Sequence, residues 1–553
     1  MTDAFSAFRP TLRRTSGLAP PAVVLFLIVL YWQHVSGCYG DEFGEDATSH
    51  YISALVIHDY IRSGFSTSPV AFLEDFHAHY PLVGIGHWGP AFYGVEALWM
   101  LVFSTGRTAV LLLSAVMTTL TGISVYAVSA PRTGRTGAWF AAIGFVISPI
   151  IQEGSSSVML DVPIAASCLG ATMFYIRYIE TERWIFAALF GVAAAFAMLI
   201  KGNGGLLALL PSFVVLFGWR WDLLAKWSFW LPVPIVAVAV LPWYVVTYPL
   251  VAEGFRYHWG IAYFLTATAG NFGYLEHAEG LPLLLAGIGG GIAAVAARRH
   301  GRADAGLICV AALAAAAWVF QLVVPAALQD RYLAPLLPPL LILTSYGVAA
   351  IGRLRWIGSA WAAPAVFGVL AISLVPGALS AEPQQHLGYV EAARAVWHAR
   401  IGANPSILVA AGDAGEDAAI AELAMADRHR PSLYVVRGSR LLGGGGYNNS
   451  EYVPRFDNVA EVIGAIDAYA IPLVLLQTDP SSGAWAHVAQ VQQAAERNAD
   501  CWKPVFRNDQ VTPPVILYAL CNNGTKKADV AKLTTLSAPR SLMARAGPGD
   551  SKP

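Results

Sequence analysis

The sequence predicts a polytopic α-helical membrane protein followed by a smaller α/β domain. Of the 553 residues, 56% are hydrophobic and only 13% are charged, about half the charged fraction of a soluble globular protein. Apolar runs of about 20 residues, long enough to cross a bilayer, recur as far as residue 378. After Glu382 the chain becomes more polar, and apolar strands alternate with amphipathic helices, which is typical of an α/β domain.

The apolar runs give the candidate membrane helices, and the positions of Lys and Arg sort them. The runs cover residues 20–37, 86–105, 108–130, 138–152, 159–178, 184–200, 203–219, 228–247, 281–297, 305–326, 332–350 and 357–378. Lys and Arg are enriched in cytoplasmic loops, and the basic clusters share one side only if residues 86–105 do not cross. That run contains Glu96 and two Trp residues, so we interpret it as an amphipathic helix on the outer surface.

Eleven predicted spans remain, and they define the domain organisation. The N-terminus is cytoplasmic in this topology. Residues 1–380 form the membrane domain, with a first outer loop at residues 38–107. Residues 381–525 form a soluble α/β domain on the outer, periplasmic side. Residues 526–553 are predicted to be a disordered tail, because their composition lacks the apolar residues needed for a core.

Acidic residues follow the first predicted span directly, as Asp41-Glu42 and Glu45-Asp46. A carboxylate at this position can serve as a general base that takes a proton from an incoming nucleophile. A pair of carboxylates can also bind a divalent cation through its oxygens. A solvated acidic loop accounts for the same residues equally well. Their position alone therefore leaves all three interpretations open.

Three further charged groups sit beside apolar runs on the same predicted side. Asp161 begins a span, Lys201 lies between two runs, and Arg331 follows Asp330 just before another. Ionisable groups in membranes are costly and usually functional, and Lys and Arg both bind phosphate. The ordinary alternatives are a carboxylate at a helix N-terminus, a snorkelling lysine and a local Asp330–Arg331 pair. The outer placement of Lys201 favours a functional role.

The C-terminal region alternates predicted strands with predicted helices. Strands are predicted at residues 405–411, 432–438, 471–478 and 511–520, and helices at 417–429, 458–470 and 486–498. Asp413 and Glu416 follow the first strand, where α/β proteins often bind ligands, although helix capping is the stronger explanation. Cys501 and Cys521 can form a disulfide if the domain is periplasmic, and free thiols are an equal alternative.

Four motifs in the membrane region occur in an order that resembles a known family. They are an acidic residue followed by His-Tyr (Asp46 to Tyr51), an H-x-x-P-x-x-Y element (His87 to Tyr93), a D-x-P (Asp161 to Pro163), and a Lys-Gly pair (Lys201, Gly202) followed later by Arg-Tyr (Arg331, Tyr332). The chain resembles the GT-C superfamily of polyprenyl-phosphate-sugar-dependent glycosyltransferases. Within it, the match is to the bacterial branch of protein O-mannosyltransferases and lipid A aminoarabinose transferases.

The resemblance implies an enzyme of the bacterial inner membrane that takes a sugar from undecaprenyl phosphate and gives it to an acceptor hydroxyl on a lipid, glycan or protein. Asp46 would be the general base, with Asp41 as the alternative, and the displacement would invert configuration without a covalent intermediate. Asp161 would orient a substrate. Donor-phosphate binding is implied for Lys201, Arg331 and Tyr332. Substrate positioning is implied for Glu42, His50, Tyr51, His87 and Tyr93. No metal is implied, although the acidic loop has the carboxylates for a divalent cation.

Two other classes of protein remain as alternatives. In a transporter or flippase for a lipid-linked substrate, the membrane Asp, Lys and Arg residues would serve as substrate or proton-relay groups. Transporters usually contain internal repeats, and we find none in the sequence. A non-catalytic scaffold would use the C-terminal domain to recruit partners. The net charge of −1 gives no indication of nucleic-acid binding.

Overall fold

The computed structural model describes residues 17–44, 46–252, 255, 257–300, 304–352, 362–380, 383–399, 405–444, 452–478, 485–521 and 532–533. The chain divides into two compact units, each made of discontinuous segments. The first unit comprises residues 1–36, 86–92 and 111–382, and the second comprises residues 37–85, 93–110 and 383–553. Most of the predicted first outer loop therefore groups with the C-terminal region. The predicted tail lies outside the described residues except for residues 532–533.

Helices dominate the described chain. In chain order they are α1 (Ala19–Val35), α2 (Ala47–Arg62), α3 (Pro69–His79), α4 (Ala91–Val102), α5 (Arg107–Ile147), α6 (Pro149–Ser155), α7 (Asp161–Thr181), α8 (Trp184–Ile200), α9 (Leu210–Gly218), α10 (Trp227–Trp230), α11 (Pro232–Ala252), α12 (Ile261–Glu279), α13 (Leu281–Ala296), α14 (Ala305–Val323), α15 (Leu337–Gly352), α16 (Ala362–Leu379), α17 (Tyr389–His398), α18 (Asp413–Ala426), α19 (Gly438–Leu441), α20 (Val459–Ala468) and α21 (Ala486–Arg497). Short 3-10 helices cover Gly202–Ala208, Trp221–Ala225, Ala297–His300 and Asp330–Leu336.

The number of predicted spans is not confirmed. Among the described residues, five helices are long and apolar enough to cross a membrane, or six if the bent pair α12 and α13 counts as one. Several other predicted spans are apolar helices of 10–17 residues. The predicted span at residues 203–219 divides into the 3-10 helix Gly202–Ala208 and α9, and the chain bends by 110° between α12 and α13.

The α5 helix joins two predicted spans, residues 108–130 and 138–152, through a kink. Pro131 lies inside it, and Gly134 adopts φ 74° and ψ −178°. Proline removes a helical hydrogen bond, and a positive φ is available to glycine without the steric cost that a Cβ adds. The chain therefore turns at the position where the sequence predicts a cytoplasmic loop.

The run at residues 86–105 contains a shorter helix than expected, with a different orientation of its polar side chain. The helix α4 begins only at Ala91. Glu96 is 1% exposed, whereas Leu98, Val102 and Phe103 are 58%, 74% and 56% exposed. The exposed side of this helix is therefore apolar and its carboxylate points inward, opposite to the polar face that we expected on an amphipathic surface helix.

The C-terminal part of the second unit is built on a mixed five-stranded sheet. The strands of the described chain are β1 (Ser406–Ala410), β2 (Tyr434–Arg437), β3 (Gly443–Gly444), β4 (Val453–Pro454), β5 (Leu473–Gln477), β6 (Trp502–Asn508) and β7 (Val515–Leu520). The order in the large sheet is β2-β1-β5-β7-β6. The β1 strand pairs in parallel with β2 and β5, while β7 pairs antiparallel with β5 and β6. All predicted strands and helices are present, and the sequence missed α17, β6 and the short elements α19, β3 and β4.

Apolar side chains from the strands and helices form the core of this domain. Leu408, Val474 and Leu476 come from the sheet, and Ile466 and Val491 come from α20 and α21; all are at most 2% exposed. Full burial of such a side chain contributes about 1.5–3 kcal/mol. Next to β6 and β7, Cys501 and Cys521 form a disulfide with a Cα–Cα distance of 4.9 Å, which is one of the two alternatives that the sequence left open.

Candidate active site

Two predicted site residues of the first unit, Lys201 and Asp161, form a buried ion pair. Asp161 lies in the first turn of α7, and Lys201 directly follows α8. Lys201 Nζ donates a hydrogen bond of 2.7 Å to Asp161 Oδ1, and the two side chains are 8% and 1% exposed. The second carboxylate oxygen, Oδ2, is buried without a hydrogen-bond partner in the described chain. A snorkelling lysine would expose its ammonium, so the structure does not support that alternative.

A second cation, Arg331, lies near this pair, and the Tyr332 ring is close to both Lys201 and Arg331. Lys201 Nζ lies 4.4 Å from the ring centroid, and Arg331 Cζ lies 5.6 Å from it, both within the range of cation–π attraction. Arg331 Nε donates to Gln329 Oε1 at 2.9 Å. The Asp330 carboxylate accepts a hydrogen bond from the backbone N–H of Arg331. This contact differs from the side-chain pair between Asp330 and Arg331 that the sequence offered as an alternative. The three residues expected to bind phosphate are therefore neighbours.

Glu153 on α6 is a further acidic residue near this group, and we did not predict it. Its side chain reaches solvent, but the protein surrounding the carboxylate raises its pKa, and the charges of Asp330 and Asp161 raise it further against the opposing effect of Arg331. The signal in the sequence is slight: a single Glu just after an apolar run, eight positions before Asp161. The group thus contains two cations and several carboxylates.

The turn at His87 packs on the end of α8. Gly89 is required there, because a Cβ at this position would lie 2.1 Å from the backbone oxygen of Leu199, two residues before Lys201. His87 Nδ1 donates to the backbone oxygen of Leu250 at 3.0 Å. This hydrogen bond fixes the orientation of the His87 ring. The turn lies in the first unit, beside the end of α8 that leads to Lys201.

Asp41, in the second unit, is fully buried and bound to backbone N–H groups. Its carboxylate accepts hydrogen bonds from the N–H groups of Leu387 at 2.6 Å, of Val390 at 3.3 Å, and of Tyr389. His386 Nδ1 lies 3.0 Å from Asp41 Oδ1. A carboxylate held in this way fastens the first outer loop to the segment before α17, within the same unit.

Asp46 has a more accessible position than Asp41. It is half-buried and precedes α2, and its side chain makes no capping hydrogen bond. Glu42 accepts the backbone N–H of Gln385, so it also joins the first loop to the C-terminal region. Glu45 lies outside the described residues. The two acidic pairs of the sequence thus have different surroundings.

The predicted positioning residues of the second unit are held by contacts within it. His50 Nδ1 lies 2.7 Å from the Tyr93 hydroxyl, and the two residues are 1% and 0% exposed. The Tyr51 hydroxyl donates to the backbone oxygen of Thr105 at 2.9 Å. These bonds tie α2 to the segment that contains α4, which is a structural role for Tyr51.

Sequence reasoning missed a buried ion pair between α2 and the α/β domain. Arg430 Nε donates to Asp59 Oδ2 at 2.8 Å, and His58 Nδ1 lies 2.7 Å from Asp59 Oδ1. Burial acts to raise the pKa of Asp59, but the hydrogen bonds from His58 and Arg430 outweigh it and hold the pKa below its ordinary value. Arg107, at the start of α5, forms another ion pair with Glu422 at 2.5 Å.

Glu416 is buried and binds groups within the α/β domain, and the helix α18 has no side-chain cap. Its buried carboxylate accepts hydrogen bonds from Arg437 Nε at 2.7 Å, and from the N–H and hydroxyl of Ser439 at 2.7 and 2.6 Å. The carboxylate therefore holds the turn between β2 and α19. Asp413 lies 3.7 Å from Arg437 and partly completes this network.

One group of potential metal ligands occurs in the described chain. Single ligand atoms of Asp41, His386 and Glu391 lie within 4.8 Å of one another. Two of these residues are not in the acidic loop where the sequence offered a cation site. Asp41 already accepts several backbone hydrogen bonds, and these contacts explain the position of its carboxylate without a metal ion.

Comparison with known proteins defines the class of this fold. Residues 89–246 match the model of the dolichyl-phosphate-mannose-protein mannosyltransferase family. No sequence among curated proteins matches the chain. The matches to solved structures described below are all to GT-C proteins, so the resemblance predicted from the motifs is confirmed and the chain has the GT-C fold.

Individual solved structures specify the likeness. ArnT from Cupriavidus metallidurans matches in the apo state with a TM-score of 0.57 and 15% identity, over 94% of this chain and 99% of that one. The same protein bound to undecaprenyl phosphate gives 0.55 and 15%, over 91% and 98%. The oligosaccharyltransferase of Archaeoglobus fulgidus in its apo form gives 0.54 and 13%, over 85% and 71%. These comparisons do not favour the transporter alternative.

Proposed function

We propose that the protein is an integral-membrane glycosyltransferase that moves a sugar from a polyprenyl-phosphate donor to an acceptor hydroxyl. The observation that carries this proposal is the buried Lys201–Asp161 pair, which shares the Tyr332 ring with a second cation, Arg331. The fold likeness to ArnT bound to undecaprenyl phosphate supports a lipid-linked donor. The sugar and the acceptor, whether lipid, glycan or protein, are not specified by these residues.

Lys201 and Arg331 bind the donor phosphate in this proposal. When the bond from the anomeric carbon to the phosphate oxygen breaks, negative charge grows on the leaving polyprenyl phosphate. Cations fixed in a water-poor site stabilise that charge without reorganising. Asp161 holds the Lys201 ammonium through Oδ1, and Oδ2, which has no hydrogen-bond partner among the described residues, is available to orient a sugar hydroxyl. Both cations lie within cation–π distance of the Tyr332 ring.

Asp46 is the proposed general base. It takes the proton of the acceptor hydroxyl while the acceptor oxygen attacks the anomeric carbon, so the configuration is inverted in one displacement. The contacts of Asp41 support this choice, because both of its oxygens already accept backbone N–H groups. A base needs a lone pair within reach of the proton that it takes, and Asp46 is better suited because it is half-buried, whereas Asp41 is fully buried.

The outer, periplasmic side is the proposed location of the C-terminal domain and of transfer. The disulfide between Cys501 and Cys521 supports this assignment, because disulfides persist in oxidising compartments such as the periplasm. The distribution of Lys and Arg in the loops points to the same orientation. We place the protein in the bacterial inner membrane on the resemblance of its motifs.

Substitution of the two candidate bases tests the proposal. The assay follows transfer of labelled sugar from synthetic polyprenyl-phosphate-linked sugars to an envelope extract by membranes that contain each variant. We expect Asp46→Asn to lower turnover about 10²–10⁴-fold, the usual contribution of a general base, with normal protein levels. Asp41→Asn should mainly reduce stability. Full turnover by Asp46→Asn, with loss in a folded Asp41→Asn protein, would reverse the assignment.

Mass analysis of envelope lipids and glycans identifies the physiological substrates. Cells with and without the protein are compared, and cells that carry Asp46→Asn serve as the matched control. A saccharide unit that disappears in both the deletion and the variant names the product. If every lipid, glycan and protein-linked saccharide is unchanged in the deletion strain under conditions of expression, the glycosyltransferase proposal fails.

A further inference from the structure

A large apolar cavity lies in the first unit, and its walls come from membrane helices. Its volume is about 770 Å³, within the range of cavities that hold small-molecule ligands. Small residues in the walls leave space for the cavity. Its lining combines larger apolar side chains with Gly287, Gly291, Ala311, Ala314 and Ala315. The lining along α13 extends from Leu284 to Val295, a distance of roughly 16 Å at 1.5 Å per residue.

A single charged side chain, Arg298, lines this cavity, and it lies at one end. Arg298 Cζ sits 4.9 Å from the ring centroid of Trp219, which also lines the cavity. Trp219 ends α9 with a left-handed backbone (φ 55°), a conformation that costs a non-glycine residue energy. Arginine over an indole beside an apolar space is an arrangement that suits the boundary between lipid tails and headgroups.

The charge of Arg298 is not neutralised within the described part of the chain. The nearby Arg220 and Lys226 both pair with Glu182 and Asp222. No such carboxylate contact occurs for Arg298 among the described residues, where its contact is with the Trp219 ring. A half-buried cation at the mouth of an apolar cavity therefore has capacity for an anionic ligand with an apolar chain.

The Arg298 end of the cavity is opposite to the end nearest Arg331. The α13 and α15 helices run parallel, because a Cβ on Gly287 would meet Leu340 and one on Gly290 would meet Leu343. Leu336, at the start of α15, thus lines the same end as Leu284, and it closes the 3-10 helix that begins at Asp330. Arg298 lies beyond the far end of α13.

We propose that this cavity binds an anionic phospholipid of the cytoplasmic leaflet, with an acyl chain in the cavity and the headgroup phosphate on Arg298. The loop charges place Arg298 on the cytoplasmic side, where basic pockets between membrane helices bind anionic headgroups. This lipid is distinct from the donor of the proposed reaction, because its phosphate lies at the end of the cavity opposite to Arg331. The site is a binding site for a lipid cofactor or regulator, and it takes no part in chemistry.

Native mass spectrometry of the full-length protein in mild detergent tests the site. The probes are phosphatidylglycerol and phosphatidylcholine with identical 16- and 18-carbon chains. We expect tighter binding of phosphatidylglycerol, and Arg298→Gln should weaken it about fivefold, the contribution of one basic side chain near anionic lipid. Phosphatidylcholine binding should stay unchanged in that variant. Arg177→Gln is the matched control, because Arg177 is exposed on the same predicted side and pairs with Glu180.

Two further variants keep the test decisive. Arg298→Lys retains the charge and should retain most of the preference for phosphatidylglycerol, which covers the case that Arg298→Gln does not fold. Gly291→Leu fills the cavity and should weaken both lipids. Equal effects of Arg298→Gln and Arg177→Gln, or unchanged binding in Gly291→Leu, would refute the site. Complete displacement of phosphatidylglycerol by undecaprenyl phosphate at equal concentration would also refute it, because the cavity would then hold the donor tail.

Discussion

Replacing Lys201 with Met separates a structural role of this residue from its proposed chemical role. The side chain of Asp161 is 1% exposed, its Oδ1 is bound by Lys201, and its Oδ2 has no partner in the described chain. The substitution therefore leaves a buried carboxylate without its cation. Loss of one partner of a buried ion pair typically costs about 3–5 kcal/mol, and we expect a loss of this size in the free energy of unfolding.

A second substitution, Asp161→Asn, removes the buried charge from the Lys201→Met protein. The double variant should recover most of the lost stability, with a remaining deficit of about 1–3 kcal/mol for an amide that lacks partners. Sugar transfer should not recover, because the cation that stabilises the leaving phosphate is still absent. By analogy with a single lost donor to a developing anion, the expected decrease in turnover is about 10²–10³-fold.

The assay combines equilibrium unfolding in mixed micelles with transfer of labelled sugar under saturating acceptor. Lys226→Met provides the control, because Lys226 forms an ion pair of 2.5 Å with Glu182 but its side chain is 32% exposed, against 8% for Lys201; it should retain both stability and transfer. Restoration of transfer in the Lys201→Met, Asp161→Asn double variant would refute the reasoning. The pair would then be a structural element, and the donor phosphate would bind elsewhere.

Three further predictions concern the second unit. Arg430→Met should cost about 3–5 kcal/mol of stability, measured by unfolding, because it leaves Asp59 buried without its guanidinium. Asp59 has a lowered pKa, so its ion pair with Arg430 stabilises the protein above about pH 4 and loses this contribution as the pH falls. The free energy of unfolding should therefore decrease more steeply with falling pH in the wild type than in Asp59→Asn. Cys501→Ser opens a bond that spans 20 residues and should cost about 3 kcal/mol, whereas equal stability of oxidised and reduced wild type would contradict this.

Local patterns predicted the C-terminal fold well. The strands at Ser406–Ala410 and Leu473–Gln477 are uninterrupted apolar runs, which is the pattern of a strand buried on both faces. The capping residue Asn458, whose side chain accepts the N–H of Glu461, marks the start of α20. The strand Trp502–Asn508 was missed because it pairs at the edge of the sheet and carries exposed polar residues, so it has no apolar run.

The membrane spans were harder to delimit, because hydropathy does not register breaks in the backbone. A span needs a continuous helix of about 20 residues, whereas the predicted span at residues 203–219 divides into a 3-10 helix and α9, and α12 and α13 meet at a bend of 110°. Loop charge placed Asp161 and Lys201 on the same side of the membrane, but their ion pair was not predicted. The contacts of Arg430 and Arg107 were not predictable, because each reaches a residue more than 300 positions away.

The acidic residues of the first loop show why position in the sequence did not decide their roles. Asp41 and Asp46 are the same residue type and lie only five positions apart. Asp41 is nevertheless 0% exposed and accepts several backbone N–H groups, whereas Asp46 is half-buried and precedes a helix. A carboxylate that satisfies buried N–H groups cannot release them to accept a proton without leaving them unpaired, which costs about 1–3 kcal/mol for each group. The dipeptide Asp41-Glu42, which looks more like the family pattern, is therefore the weaker candidate for the base, and the choice depends on partners that lie more than 340 residues further along the chain.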